Sequence, residues 1–445
     1  MHELLLSLLP VDASPTRMGV AVLAVLALAV FDLLARVRHR TTHTMFACVL
    51  GTLLSVGLIK AGHAVFHPAV TGSPYAVALG IVVVIMLWKL LFGPWEVETK
   101  AVMLGTFLFW LMFHILSRET PEQRLVRSIA ATVALVPAVI WCRMFLPYHR
   151  ERFAAVLLMF FAGMLSTVPI LFYDALVRQG VELHFFLFRI VPDSFMRSAN
   201  SFVTGQLTSV TGVTSVLLSS YLSYLMVGVI EEGSKGWVLA RSGRKFWTSI
   251  DDAMQLSIVV GIGFAFAENI VNPTYFMGFV REYLVGAALP DMQAFFSNVL
   301  GRSVLTSMVH ILSTGVFGYF LGLAVFAEPL LREQHKAGAL HLLLHAVCRL
   351  LRFPEEAIFR REMTFLGILS AVLLHGTFNF LVTLPDLLPG NPQNIADLLH
   401  LSEGSYFRSV PILLVPSLLY VVGGFWLLTF LFQRKANMEE RVRRT

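Results

Sequence analysis

Four stretches in the C-terminal half of this 445-residue chain set proton-moving groups into otherwise apolar sequence. The first reads Val-Gly-Val-Ile-Glu231-Glu232-Gly-Ser-Lys235. The second opens on Asp251-Asp252 and ends Gly263-Phe264-Ala-Phe-Ala-Glu268-Asn269. The third carries Ser307, His310 and Thr314, and the fourth reads His375-Gly-Thr-Phe-Asn379. On a helix, residues four apart share a face, so Glu231 can pair with Lys235 and His375 lies in line with Asn379. Glu232 points about 100° away from Glu231. A carboxylate and an imidazole around one water are enough for general-base hydrolysis. Three glutamates in one low-dielectric site cannot all stay charged; at least one is protonated or is neutralised by Lys235. One carboxylate can then activate water while one acid protonates the leaving amine. His375 and Asn379 would supply donors for a developing oxyanion. That kit hydrolyses an amide without a covalent intermediate.

Each stretch alone is also what a hydrogen-bonded polar residue of a helix bundle looks like. Burying so many such groups on four consecutive apolar stretches for stability alone is unfavourable. Glutamate and histidine also bind zinc, and a catalytic zinc takes three protein ligands. There is no H-E-x-x-H, however, and the ligands would come from separate helices. The expectation is therefore that neither a metal nor another cofactor is needed. No Ser-His-Asp, aspartyl-dyad or rhomboid-like serine signature stands in an apolar stretch. Cys48, Cys142 and Cys348 are too far apart for zinc or redox spacing and read as small packing residues.

The elements that must position these groups follow from composition. Hydrophobic residues make up 56% of the chain and charged residues 14%, too few to cover a water-soluble globule. Apolar runs of roughly 18 residues or more recur along the chain, which excludes an alternating β-barrel. The fold class is an all-α polytopic transmembrane bundle. Hydropathy predicts about eleven spans: Met18–Leu34, Met45–Val65, Tyr75–Phe92, Ala101–Leu116, Ile129–Phe145, Phe153–Tyr173, Val213–Leu239, Ile250–Ile270, Val299–Phe326, Met363–Leu384 and Val410–Phe432. The net charge of +6 sits in short loops and reads as positive-inside topology, with no nucleic-acid partner. Arg36, Arg38 and Arg40, then Arg143, Arg150 and Arg152, then Arg241, Arg244 and Lys245, and the basic residues of 332–361 and 434–444 fall on one side. Two loops run against this pattern, one with Arg118, Arg124 and Arg127, the other with Arg178, Arg189 and Arg197. The N-terminus is then outside and the C-terminus cytoplasmic, in what is expected to be the plasma membrane. Asp32, Lys60, Lys89, His114 and Asp174 are isolated or near span ends, where snorkelling suffices. Two regions are expected: an N-terminal membrane region over residues 1–212, and a catalytic region over 213–435 with a cytoplasmic insertion over 328–362. Within that insertion 339–353 has the pattern of an interfacial helix. Measured from the cytoplasmic helix ends, Glu231, Glu268, His310 and His375 lie roughly 18–27 Å deep at about 1.5 Å per residue. They share one slab, placed in the outer half of the membrane.

The ordered set Glu231-Glu232-x-x-Lys235, Gly263-Phe264-x-x-x-Glu268-Asn269, His310 followed by Gly315 and Gly318, and His375-Gly-x-x-Asn379 resembles the PrsW family of intramembrane proteases. That family is related to the CAAX prenyl endopeptidases and bacteriocin-processing enzymes, the glutamic-type membrane peptidases. The resemblance covers Val213 to Phe432. It implies that Glu231 and Glu232 are the family's glutamate pair, with Glu231 the water activator. Glu268 takes the third acidic position, where the CAAX branch has histidine. His310 and His375 match the later-motif histidines, Asn379 matches a position held by Asp or Asn, and Asp252 matches an acid that opens the second-motif helix. The resemblance implies an endopeptidase acting on single-span or membrane-anchored proteins in the bilayer. Two readings of other classes compete with it. One is an ion or solute transporter relaying through buried carboxylates, for which Gly261 and Gly263 would be the places for a helix break. The other is a family member that binds membrane proteins without cutting them.

Overall fold

The computed structural model describes residues 95–146, 153–171, 213–271, 292–326, 354–388, 392–412 and 414–444, with shorter pieces within 44–55, 183–190 and 278–286. Helices account for nearly all of it. In chain order they are α1 Val97–Arg118, α2 Pro121–Phe145, α3 Phe153–Leu165, α4 Val213–Val238, α5 Ile250–Val271, α6 Met292–Gly301, α7 Ser307–Val325, α8 Glu355–Leu387, α9 Ile395–Leu398, α10 Leu414–Leu418 and α11 Gly424–Arg444. The one described strand pair is a small antiparallel hairpin, Leu183–Phe185 with Phe188–Ile190, in the stretch expected to lie outside the membrane. Among the described residues, seven helical stretches are long and apolar enough to cross a membrane: Val97–Leu116, Pro121–Phe145, Phe153–Leu171, Ile250–Val271, Val299–Val325, Glu355–Pro385 and Leu414–Arg434. α4 has 26 residues, about 39 Å at 1.5 Å per residue, enough for a hydrocarbon core of about 30 Å. The all-α polytopic bundle is observed. The count of eleven is not, because the spans expected at 18–34, 45–65 and 75–92 fall largely outside the described residues. The interfacial helix expected at 339–353 also falls outside them.

Two helices start eight residues earlier than hydropathy placed them. α2 begins at Pro121 instead of Ile129, so Arg124 and Arg127 lie on a helix, not in a loop. Arg127 is buried and its guanidinium donates to the Ile270 carbonyl at 2.7 Å, a cation at the negative end of α5. α8 begins at Glu355 instead of Met363 and runs for 33 residues, about 50 Å, longer than the hydrocarbon core. A hydropathy window sees only the apolar part of such helices.

The chain forms two compact units, one of Met1–Thr120 with Arg152–Phe161, the other of Pro121–Glu151 with Ala162–Thr445. In the first, Ser55 donates to the Phe107 carbonyl of α1 at 3.0 Å. The second holds all four stretches that carry the chemistry. Its centre is the antiparallel pair α5 and α7, in which 83% of the most apolar stretch of each is buried. Their axes approach because small residues face each other. A side chain at Gly261 would put its Cβ 2.6 Å from the His310 carbonyl oxygen, so only glycine fits there. α5 runs through Gly261 and Gly263 without a break. α4 packs antiparallel on α8: a Cβ at Gly376 would lie 3.0 Å from Leu225 Cα, and the Tyr221 and Phe380 rings meet 5.2 Å apart. Lipid-facing side chains recur every four residues on α8, at Phe365, Leu369 and Leu373, the stripe a helix presents to an apolar solvent.

Candidate active site

Helices α4, α5, α7 and α8 bring Glu231, Glu232, Lys235, Phe264, Glu268, His310 and His375 into one cluster. Glu232 is its hub and is fully buried. Its Oε1 accepts from Lys235 Nζ at 2.6 Å, from Ser313 Oγ at 3.0 Å and from His375 Nδ1 at 2.7 Å, and its Oε2 accepts from Thr314 Oγ1 at 3.3 Å. A buried carboxylate held by that many donors is fixed in place. Lys235 therefore pairs with Glu232 three residues before it, not with Glu231 four before it. Both spacings bring side chains together on a helix, and the histidine and hydroxyls gathered on Glu232 decide between them.

The same contacts assign the ring protons. The Lys235 ammonium has only hydrogens to give, so His310 Nδ1, 2.9 Å from it, is an acceptor. His310 Nε2 then carries the proton and donates to Glu268 Oε2 at 2.9 Å. The second histidine has the opposite tautomer. His375 donates from Nδ1 to Glu232, which turns its basic Nε2 toward Glu231 Oε2, 3.4 Å away. Aromatic faces close the cluster from the side: Lys235 Nζ sits 4.1 Å over the Phe264 ring, and the Phe264 and His310 rings are 4.8 Å apart. A cation on an aromatic face needs less water, which suits a fully buried lysine.

The charges can be counted. Three carboxylates meet two cations of fixed charge. Lys235 is within ion-pair distance of Glu232, and Arg302, through its Nη1, lies 3.5 Å from Glu268 Oε1. Among the described residues, Glu231 has no cation of fixed charge within ion-pair distance; His375 Nε2 lies 3.4 Å from its buried Oε2, which has no hydrogen-bond partner among them.

Three groups that hydropathy and spacing did not single out are part of this geometry. Arg302 lies eight residues before His310. Ser313 is one turn beyond His310 and donates to the hub. Arg127 holds the end of α5 two residues past Glu268. An arginine inside an apolar run was the available signal for Arg302. Other expected residues stand apart. Asp252 is a cap at the far end of α5: its Oδ2 accepts from Thr248 N at 2.7 Å, Thr248 Oγ1 at 2.6 Å and Ser249 N at 2.8 Å. It is sixteen residues, about 24 Å, from Glu268. Asn379 is half-buried one turn beyond His375 and is outside the cluster; among the described residues its recorded bond is a backbone one, accepting from Thr383 Oγ1 at 2.9 Å. Asn269 is buried next to Glu268, with no hydrogen-bond partner on Oδ1.

Comparison with known proteins places this cluster. The family described as PrsW family intramembrane metalloprotease matches residues 151–398, more than half of the chain. The chain belongs to the PrsW family. The match contains Glu231, Glu232, Lys235, Glu268, Arg302, His310 and His375. A protein named Protease PrsW from Clostridioides difficile (strain 630) is 24% identical over 164 residues, which is 36% of this chain and 52% of that protein. The chain thus spans about half the length of this curated relative. No solved structure matches. With seven helices among the described residues long and apolar enough to cross a membrane, and with this family, the chain is an integral multi-pass membrane protein.

The family description names a metal, and the residues present can be tested against one. Glu231, His310 and His375 each bring a ligand atom to within 4.8 Å of the others. Glu231 Oε2 and His375 Nε2, 3.4 Å apart, have the separation of two ligands on a tetrahedral ion bound at about 2.0–2.1 Å. His310 does not complete the set. Both of its ring nitrogens are engaged at 2.9 Å, Nδ1 by an ammonium and Nε2 by Glu268. Catalytic zinc takes three protein ligands, so the residues as arranged fall one short and do not fit it.

Proposed function

We propose that this protein is an intramembrane endopeptidase in which Glu231 activates water to hydrolyse a peptide bond of a membrane-anchored protein. One observation carries the reading: Glu231 Oε2 is buried, makes no hydrogen bond among the described residues and faces Nε2 of His375 at 3.4 Å. Two acceptors converge on one point, so a water held there donates one hydrogen to each and turns a lone pair outward. Glu231 takes the proton as the water oxygen attacks the carbonyl carbon, and the amine leaves with a proton returned from the same carboxyl. The other two glutamates are ion-paired, and their part is to hold His375 and His310 in their tautomers. The role proposed for Asn379, one turn beyond His375, is to donate to the developing oxyanion. The family membership supports the reaction class. The charge count supports the choice of Glu231 over Glu232 and Glu268.

The protease region is proposed to be the expected 213–435, preceded by a membrane region over 1–212. The proposed orientation has the C-terminus in the cytoplasm of a plasma-membrane protein and the site opening to the outer side. The test is Glu231→Gln in purified protein reconstituted with a panel of single-span fluorogenic reporter peptides. The amide keeps the shape but cannot accept the proton, so turnover falls by at least about a hundredfold while insertion and melting stay as in the wild type. Wild-type cleavage by this variant overturns the assignment. Ion flux in the absence of cleavage would establish the transporter reading in its place.

A further inference from the structure

The helix that carries His310 is not α-helical throughout. Between α6 and α7 residues Arg302–Thr306 form one π turn, and such turns insert a residue into an α-helix. Arg302 and His310 are eight residues apart. In an unbroken α-helix that spacing leaves them about 80° apart in azimuth, since each residue turns about 100°. With one residue absorbed by the π turn, the separation acts as seven, two turns to within about 20°. Both side chains then reach the same carboxyl group. Arg302 Nη1 lies 3.5 Å from Glu268 Oε1, and His310 Nε2 lies 2.9 Å from Glu268 Oε2. The turn is fastened from two sides. Trp141 of α2, itself buried, donates from Nε1 to the Ser303 carbonyl at 2.8 Å, and Arg302 Nη1 donates to Thr306 Oγ1 at 3.2 Å.

We propose that Arg302 is a positioning residue of this site and that the π turn exists to aim it. From Arg302 the contacts run without a gap: guanidinium to Glu268, Glu268 to His310, His310 to Lys235, Lys235 to Glu232, Glu232 to His375, and His375 to Glu231. Two ion pairs, Arg302 with Glu268 and Lys235 with Glu232, are joined in this chain by the His310 ring. Arg302 compensates Glu268 locally. Without it, Glu268 is linked to a cation only through His310, whose other ring nitrogen accepts from Lys235, and Lys235 shared that way loosens Glu232 and with it the His375 ring. Arg302 touches neither water nor substrate in this scheme; it acts through Glu268. Glu268 and Arg302 are also the most exposed members of the chain, with side chains 20% and 15% accessible, so this end faces the opening of the site.

The inference rests on the hydrolase reading, and the experiment separates the two. Arg302→Gln, Arg302→Lys, Glu268→Gln, the double variant Arg302→Gln with Glu268→Gln, and Glu231→Gln are compared on the single-span reporter peptides in proteoliposomes. Arg302→Gln is expected to lower kcat about tenfold to a hundredfold, the scale of a catalytic group misplaced by about 1 Å, with KM held to within about twofold. Arg302→Lys keeps the charge but loses the fixed fork, and should recover part of kcat. In the Glu268→Gln background Arg302→Gln should cost nothing further, because the group it acts through is gone. If Arg302→Gln does not yield folded protein, Thr306→Val removes only the second guanidinium contact; a kcat reduced a few-fold at unchanged KM is then the expected result. Wild-type kcat in Arg302→Gln or Thr306→Val, or full additivity with Glu268→Gln, overturns the inference while an inactive Glu231→Gln leaves the hydrolase reading standing. Active Glu231→Gln removes the hydrolase reading itself.

Discussion

Replacing Lys235 with methionine tests the charge arrangement at its centre. The ammonium is fully buried and lies 2.6 Å from Glu232 Oε1 and 2.9 Å from His310 Nδ1. At 2.6 Å the gross attraction is about 6 kcal/mol with an effective dielectric of about 20. Most of that offsets the desolvation of both charges, and removing one partner of a buried pair costs about 3–5 kcal/mol because the other is left uncompensated. Here Glu232 keeps three donors, from His375, Ser313 and Thr314, so the lower end applies, about 3 kcal/mol. Methionine fills a similar volume against Phe264, so no cavity adds to the cost. For a chain of this size the loss corresponds to an apparent melting shift of about 3 °C. The assay is the apparent midpoint in one detergent at a fixed scan rate, since unfolding of such a protein is irreversible. Lys235→Met is compared with Glu232→Gln and with the double variant. The double variant should melt above Lys235→Met alone, because Glu232 no longer carries a charge that has lost its cation. Glu232→Gln and the double variant should lose peptidase activity, as the carboxylate that sets the His375 tautomer is gone, and Lys235→Met should lower it, as Glu232 loses the ammonium that fixes it. A Lys235→Met protein that melts within about 1 °C of wild type, or a double variant below it, refutes the assigned pairing.

Two further outcomes are expected. Because the ligand set is one short, dialysis against phenanthroline should leave reporter cleavage unchanged and the active protein should carry no stoichiometric zinc; one zinc per chain with activity lost on chelation and restored by zinc would reverse this. For orientation, single cysteines at Ser242 and at Glu403, on a background freed of the three native cysteines, should be labelled by a membrane-impermeant maleimide from opposite sides, Ser242 from the cytoplasm and Glu403 from outside. Labelling of Glu403→Cys from the cytoplasm inverts the topology and turns the site toward cytoplasmic substrates.

Much of the chemistry was legible in the linear order of residues. Apolar runs broken by Glu231, Glu268, His310 and His375 mark helices in which an ionisable group survives only with a partner, and the observed cluster joins all four. The bounds of α5 were legible almost to the residue, since Asp251-Asp252 open it and apolar residues fill it. The starts of α2 and α8 were not, because their first turns are polar and leave no mark in a hydropathy window.

What local sequence determined is thus the class of the protein and the list of groups with nowhere to go but into contact with one another, because the cost of a lone charge in hydrocarbon is a property of the residue alone. Which group meets which was decided by tertiary structure. Spacing allowed Lys235 to reach Glu231 or Glu232, and Glu232 wins because Ser313, Thr314 and His375 arrive there from two other helices. Spacing put Arg302 on a different face from His310, and a single π turn, bonded to Trp141 of another helix, brings both to Glu268. Asp252 stood in the motif helix, and its contacts make it a cap about 24 Å along that helix from Glu268. Hydrogen bonds between helices depend on the azimuth and depth at which separate segments pack, and no window along one chain contains that information.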